Sequence, residues 1–496
     1  QRVLFRSLMQ FPIGLTFNAH PERTVSVENV INMQPEATPR GRSQYVLRSC
    51  PGLREFVGVG GSRRVRGMIE VRGLLYVVAG PVLYRINADL TVDEFTYIDG
   101  SGPVGISTNG TEIHLAAGEA GFIFNVLTEE VIPITDEAYP TAYTSAFVAG
   151  RFVVEDAESQ GKFCWSEQYD GTNWNGLDFA TAELLPDPVI AVYGRGQTAT
   201  VFGSQTTEFW RPSEAGFSPI PGSGQRMGLR SRASVAETDN VIFYHASDGS
   251  FRAMSGYQPM RISTANVEAA TSEWRDAEGF CYTLDGHAVY EVSSPAYDRT
   301  FCYDLTESQR LGEPIWFEKR SGIDEAEGRH RASFSAVAFG KTLVGDAQAG
   351  IVWELTHAQA PDFSEFTTPH ITDPARHERR RLTRMELICR TGVGDIKPLP
   401  PYPGGVPDHM TAGEPIGQPL VNYDDSPVVK SHVMLRLSRD NGYTWGEEKW
   451  RDLQQVGKYD ARVIWRRLGQ FRQVAARFRV TQAKPVTVIG LNADVS

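Results

Sequence analysis

The residues whose types and spacing could do chemistry stand near the carboxy end. Ser438-Arg439-Asp440-Asn441-Gly442-Tyr443-Thr444-Trp445 has the spacing Ser-x-Asp-x-Gly-x-x-Trp of an Asp box. An Asp box in a β-propeller points to glycoside cleavage of the sialidase type. That chemistry needs a carboxylate pair, or a tyrosine nucleophile with a glutamate partner, and arginines converging on an anionic sugar. The chain holds 60 Asp and Glu, but their spacing singles out no two that converge. The single Asp box also lies outside the repeats described below. As local structure an Asp box is a hairpin turn: Asp440 accepts backbone N–H bonds, Asn441-Gly442 tolerates positive φ, and Trp445 tucks under the loop. Ser438, Asp440, Gly442 and Trp445 are therefore read as a structural turn, and a sialidase-like glycosidase stands as the alternative reading.

The second set is cationic. Arg379, Arg380 and Arg381 form a run, Arg462, Arg466 and Arg467 follow, and Arg477 and Arg479 alternate with Ala476, Phe478 and Val480. The alternation is that of a strand with one apolar and one cationic face. Guanidinium groups match carboxylates and phosphates, so these eight arginines are the candidate interface residues. The charge balance points the same way. Residues 375–496 hold 20 Lys/Arg against 13 Asp/Glu, or +7, which leaves 29 against 47, or −18, for residues 1–374 of a chain whose net charge is −11. An acidic body with a basic end implies a polyanion or an acidic partner at that end.

Other chemistries find little support. Gly58-Val59-Gly60-Gly61-Ser62 and Gly222-Ser223-Gly224 lack the Lys-Ser/Thr ending of a phosphate loop, and the motif G-x-S-x-G is absent. Cys50, Cys164, Cys281, Cys302 and Cys389 are odd in number and never form C-x-x-C, and the 10 histidines form neither H-E-x-x-H nor H-x-H. No catalytic, cofactor-binding or metal residue is assigned. No apolar run approaches the roughly 18 residues of a membrane helix, and no signal-peptide pattern opens the chain, so a soluble protein made in a cytoplasm is expected.

The elements that must position these residues are β-strands. The 496 residues imply several domains. Residues 1–44 have weak periodicity and several X-Pro breaks, and read as an arm lying on something else. Residues 45–356 repeat a unit of apolar strand, short turn and aromatic strand, as in GLLYVVAGPVLYRI (73–86) and NVIFYHASDGSFRAM (240–254). The aromatics Tyr84, Phe124, Trp165, Trp210, Phe251 and Tyr290 recur about every 40 residues, the length of one four-stranded propeller blade. An all-β fold is expected, with a β-propeller of seven blades, six as the alternative, and a pair of β-sandwiches as the competitor. Residues 53–57 are placed to supply a last strand and close the ring. Residues 357–496 read as a β-sandwich-like docking domain joined by the N-terminal arm, with a Pro/Gly-rich insertion at about 394–428 expected to touch another subunit or a tail component.

Four stretches carry a family resemblance: INMQPEATP (31–39), VLRSCPGLREF (46–56), VRGMIEVRGLLYVVAGPVLYRI (65–86) and GKYDARVIWRRLGQFRQVAARFRVTQAKPVTVIG (457–490). The sequence resembles the phage packaged-DNA stabilisation proteins, the tail hub or nozzle subunits of short-tailed phages. The most specific part is Tyr459-Asp460, Arg462-Val463 and Trp465-Arg466-Arg467-Leu468-Gly469. The resemblance implies a structural virion protein, made in the bacterial host cytoplasm and built into the tail as a homohexamer below the portal and adaptor. It would extend the DNA channel, retain packaged genomic DNA, and carry needle, plug or fibre proteins. It brings no catalytic residue and no cofactor. The Pro-rich stretch departs from the family pattern.

Overall fold

A computed structural model describes the chain except residues 1–6, 40, 42, 62, 99, 215, 324–325, 373–378, 391–431, 454–460, 482–484 and 496. The Pro/Gly-rich stretch at 394–428 and the Tyr459-Asp460 pair therefore lie outside the described residues. The chain divides into two compact units: Pro51–Thr356, and Gln1–Cys50 together with His357–Ser496.

Within 51–356, four successive antiparallel strands form a sheet in each of the spans 65–97, 105–133, 146–181, 189–219, 236–261 and 278–321. A seventh four-stranded sheet joins Ala332–Ala338, Lys341–Asp346 and Ile351–Thr356 to Gly52–Gly58, a strand from the start of the unit. Near-continuous apolar runs such as Leu74–Ala79 bury the inner strands on both faces, and the hairpin turns follow from local sequence. Asp285-Gly286, Arg72-Gly73, Phe339-Gly340, Ala149-Gly150 and Asp239-Asn240 each have positive φ at both residues, the type I′ geometry that matches strand twist in a two-residue hairpin.

Successive sheets pack face to face through shared apolar cores. Tyr76, Val78 and Leu83 meet Ile113, Leu115 and Phe124. Ile123 meets Phe152, Val154 and Trp174, and Phe163 and Trp165 meet Val201 and Trp210. Phe202 and Phe209 meet Ile242 and Tyr244, and Phe243 stacks on Tyr290 with ring centroids 5.2 Å apart. Ser335 Oγ donates to Cys281 O at 2.6 Å. The last sheet returns to the first, with Ala338, Leu343 and Val352 in one core with Val65, Leu75 and Val77. This closes the ring, and no sheet keeps an unpacked face toward a gap. The two-sandwich competitor is excluded, because each sheet packs against two neighbours instead of one.

The other unit is a two-sheet sandwich. One sheet runs in the order Met33–Ala37, Tyr45–Ser49, Thr487–Val495, Arg380–Arg390, Ala461–Phe471, with Ser7–Phe11 also pairing with Thr487–Val495. The second runs Asn29–Ile31, Ser364–Thr367, Gln473–Val480, His432–Ser438, Lys449–Asp452. Between them Trp465 meets Phe478 edge to face at 5.6 Å, and Phe478 stacks on Phe366 at 4.8 Å. The first 44 residues, expected as an arm, thus supply strands to this unit. Residues 45–49, expected to begin the repeat, also pair here; an alternating strand reads alike in either setting. Pro35 sits on the outer strand, where its missing N–H leaves no ladder bond unmade.

Candidate interface site

The Asp-box turn follows strand His432–Ser438. Ser438 Oγ donates to Asp440 Oδ1 at 2.8 Å and accepts from the Gly442 amide at 2.7 Å. Asp440 also accepts from the Thr444 amide at 2.9 Å and the Thr444 hydroxyl at 2.5 Å. These bonds, the Thr444 hydroxyl first among them, hold the Asp440 carboxyl down to about 2. Gly442 has φ +79, and a Cβ there would collide with Val27, so both backbone and space require glycine. Trp445 is half-buried, with the Arg477 guanidinium 4.1 Å over its ring. Three donors of the turn thus engage the Asp440 carboxylate.

The eight candidate arginines fall into two groups on two different sheets. Arg477 and Arg479 lie on Gln473–Val480 and share Glu365: Arg477 Nε is 3.4 Å from Oε1 and Arg479 Nη1 3.4 Å from Oε2. Arg479 also lies 4.2 Å over the Phe363 ring. Burial, then the neighbouring cations Arg436, Arg479 and Arg23, lower the Arg477 pKa against the pull of Glu365. These two arginines are half-buried and spend their charge inside the unit. Sequence reasoning missed Glu365, since a lone acid in a short buried strand carries no pattern.

The remaining six map to the other sheet. Arg380 and Arg381 open strand Arg380–Arg390 opposite Phe471 and Gln470, and Arg384 faces Arg466. Arg379 precedes that strand and is exposed. Arg462 is exposed and 3.8 Å from Glu386 Oε1. Arg379, Arg381, Arg466 and Arg467 are exposed, and none has an ion pair among the described residues. Consecutive strand residues ordinarily face opposite sides, so two adjacent exposed arginines need a cause. The ladder shifts register between Leu382 and Arg384, and Arg467 has φ +60. This bulge resets the alternation: Trp465 and Leu468 point into the core while Arg466 and Arg467 both stay outside. The Asp-box turn braces it, because Arg439 Nη2 donates to Leu468 O at 2.6 Å. Gly469, at φ +88, would bring a Cβ to 3.2 Å from that same nitrogen.

In the ring unit a cavity of about 580 Å³ is lined by residues in, or just before, the first strands of the sheets, among them Arg64, Tyr143, Val192, Arg232, Glu278 and Phe334. Its carboxylates, Asp276 and Glu278, come from one segment instead of facing walls. Glu278 is bound through both oxygens to Arg64 Nη2, at 2.8 and 2.7 Å. That is not the flanking pair glycoside cleavage requires. Other buried acids are tied into ion clusters: Glu291 with Lys319 at 3.1 Å and His330 at 2.5 Å, Glu318 with Arg299 at 2.6 Å and Arg320 at 2.8 Å. Among the described residues no three His, Cys, Asp or Glu are grouped to hold a metal ion, and no helix is long and apolar enough to cross a membrane.

A closed ring of four-stranded sheets followed by a two-sheet unit defines a β-propeller protein with an appended β-sandwich. Residues 9–360 match the family described as bacteriophage P22 Gp10, beta-propeller, and residues 423–496 match bacteriophage P22 Gp10, beta-sandwich; the chain belongs to this phage stabilisation family. A relative is the tail hub protein gp10 of Salmonella phage P22, 22% identical over 486 residues that cover 92% of each chain. Among solved structures, an extracellular domain of a putative hybrid two component system from B. thetaiotaomicron is similar at TM-score 0.43 and 9% identity, over 61% of this chain and 39% of that one. A chain of the Mitotic Checkpoint Complex is similar at TM-score 0.41 and 11% identity, over 62% and 95%. Both scores are too low to argue from.

Proposed function

We propose that this chain is a structural tail-hub subunit of a short-tailed phage. The observation that carries the reading is that both units, propeller and sandwich, match one family whose relative is a tail hub protein, over 92% of each chain. In this reading residues 51–356 form the hub body and residues 357–496, with residues 1–50, the docking domain. The chain assembles as a homohexamer on the head-to-tail adaptor and portal complex. It extends the channel for genomic DNA, retains the packaged genome, and carries needle, plug or fibre proteins. It is made in the host cytoplasm and resides in the virion tail. Arg379, Arg381, Arg466 and Arg467, with Arg462 beside them, offer donors to an acidic partner surface; Arg477 and Arg479 brace the sandwich from within. The alternative of a propeller glycosidase is disfavoured by the pairing of Glu278 with Arg64.

The test is the native mass of the purified chain mixed with adaptor rings. A ring-shaped homo-oligomer on the adaptor is expected. A chain that leaves the adaptor mass unchanged and releases sugar from host surface polysaccharide would overturn the reading.

A further inference from the structure

The first strands of successive propeller sheets neighbour one another around the ring, save between the fourth and fifth sheets, and the 580 Å³ cavity lies where most of them begin, at residues 64, 102–105, 143–145, 232–235 and 275–279. Its walls are mainly apolar. Three arginines line it, and they are not equivalent. Arg64 is neutralised by Glu278. Arg232 stacks 4.4 Å over the Tyr143 ring, donates Nε to Ile190 O at 2.8 Å, and has both terminal amines without an acceptor among the described residues. Arg275 uses one amine, on Ser272 O and Trp274 O, each at 2.9 Å, which leaves Nε and the other amine without one. The acids beside them are already engaged. Asp276 accepts from Ser294 Oγ at 2.5 Å. Glu155, 3.5 Å from Arg232, accepts from the Tyr143 amide, the Thr144 amide and the Thr144 hydroxyl.

We infer that this cavity is a binding site for a carboxylate carried on an apolar body, seated with the carboxylate on Arg232 and Arg275 and the body against Val192, Val235 and Phe334. The size is that of a small-ligand pocket, concave, mostly apolar and with few polar groups. A planar guanidinium fixed by stacking presents paired donors to a carboxylate with little ordering cost. A monoanion suits the site better than a phosphate dianion. The charges lining and adjoining the cavity are Arg64, Arg232 and Arg275 against Glu155, Asp276 and Glu278, so a second negative charge would sit uncompensated beside three carboxylates. The carboxylate has two sources, a free small acid or the free end of a peptide.

The test is calorimetric titration of the full-length chain with 2-naphthoate and with 2-naphthamide, its neutral isostere. A second pair consists of a leucine-rich tripeptide with a free carboxyl end and its amidated form. Expected are saturable binding of at least one free acid, binding weakened tenfold or more for its amide, and a similar loss in Arg232→Gln and in Arg275→Gln. Arg275 is exposed, so its variant folds even where the Arg232 variant does not. Naphthoate binding with no peptide binding assigns the small acid, and the converse assigns the peptide end. Equal binding of acid and amide, no binding of either acid, or binding unchanged in both variants would overturn the inference. The titration reads the isolated chain, so it stands or falls independently of the tail-hub reading.

Discussion

At the scale of single residues, position in the ladder decides which arginines are available. Arg466 and Arg467 share their sequence neighbourhood with Arg477 and Arg479, but a bulge turns the first pair outward while Glu365 holds the second. The double substitution Arg466→Glu with Arg467→Glu should leave the melting temperature of the isolated chain within a few degrees, since both side chains are exposed and neither has an ion pair among the described residues. It should weaken co-sedimentation with adaptor rings tenfold or more; unchanged co-sedimentation would remove these residues from the interface. Asp440 gives a pH-dependent outcome. Its folded pKa lies below the unfolded value, so its contribution is present above about pH 4 and is lost as pH falls toward about 2. Wild type should therefore melt higher than Asp440→Asn at neutral pH, with the gap closing between those two pH values.

At the scale of elements, the Asp-box turn and the bulge act as one piece through the Arg439 bond to Leu468. Gly469→Ala would force a side chain into φ +88 and crowd that guanidinium, so chemical denaturation should show a loss of about 1–3 kcal/mol. A loss under 0.5 kcal/mol would mean that the bulge re-forms without Arg439. In the sixth propeller sheet the fully buried Glu291 lies between Lys319 and His330. Burial alone would raise its pKa; Lys319 and then His330 hold it down to about 2. Glu291→Gln removes the carboxylate that pairs with the buried Lys319 ammonium at 3.1 Å. Breaking a buried pair in this way costs about 3–5 kcal/mol. Because the folded pKa is depressed, the Glu291 contribution is present at neutral pH and fades only as pH drops below the ordinary carboxylate range.

At the scale of the whole molecule, ring closure is the long-range event. The strand Gly52–Gly58 pairs with Ile351–Thr356, about 300 residues later in the chain, and the cores of the first and last sheets merge. An open ring would expose two unpaired sheet edges. Closure is tight at Gly345, where a Cβ would lie 2.5 Å from Val65 Cγ1. Gly345→Val should cost about 1–3 kcal/mol by overpacking and raise the fraction of aggregated chain on refolding. Refolding indistinguishable from wild type would mean that closure depends on the strand pairing alone.

Apolar strands, short turns between them and aromatics about every 40 residues are local or near-local signals, and they suffice to read an all-β propeller. Each of Tyr84, Phe124, Trp165, Trp210, Phe251 and Tyr290 is buried. The Asp-box hydrogen bonds were legible for the same reason, since they span a few residues. Residues 45–49 were misplaced because a strand's pattern does not name the sheet it joins. The division of the arginines was illegible as well. It depends on Glu365 reaching Arg477 and Arg479 from more than a hundred residues away, and on a bulge created by register against strand Arg380–Arg390. The cavity that gathers Arg232 and Arg275 likewise exists only once seven sheets have closed, because no local interaction specifies which side chains meet at an axis.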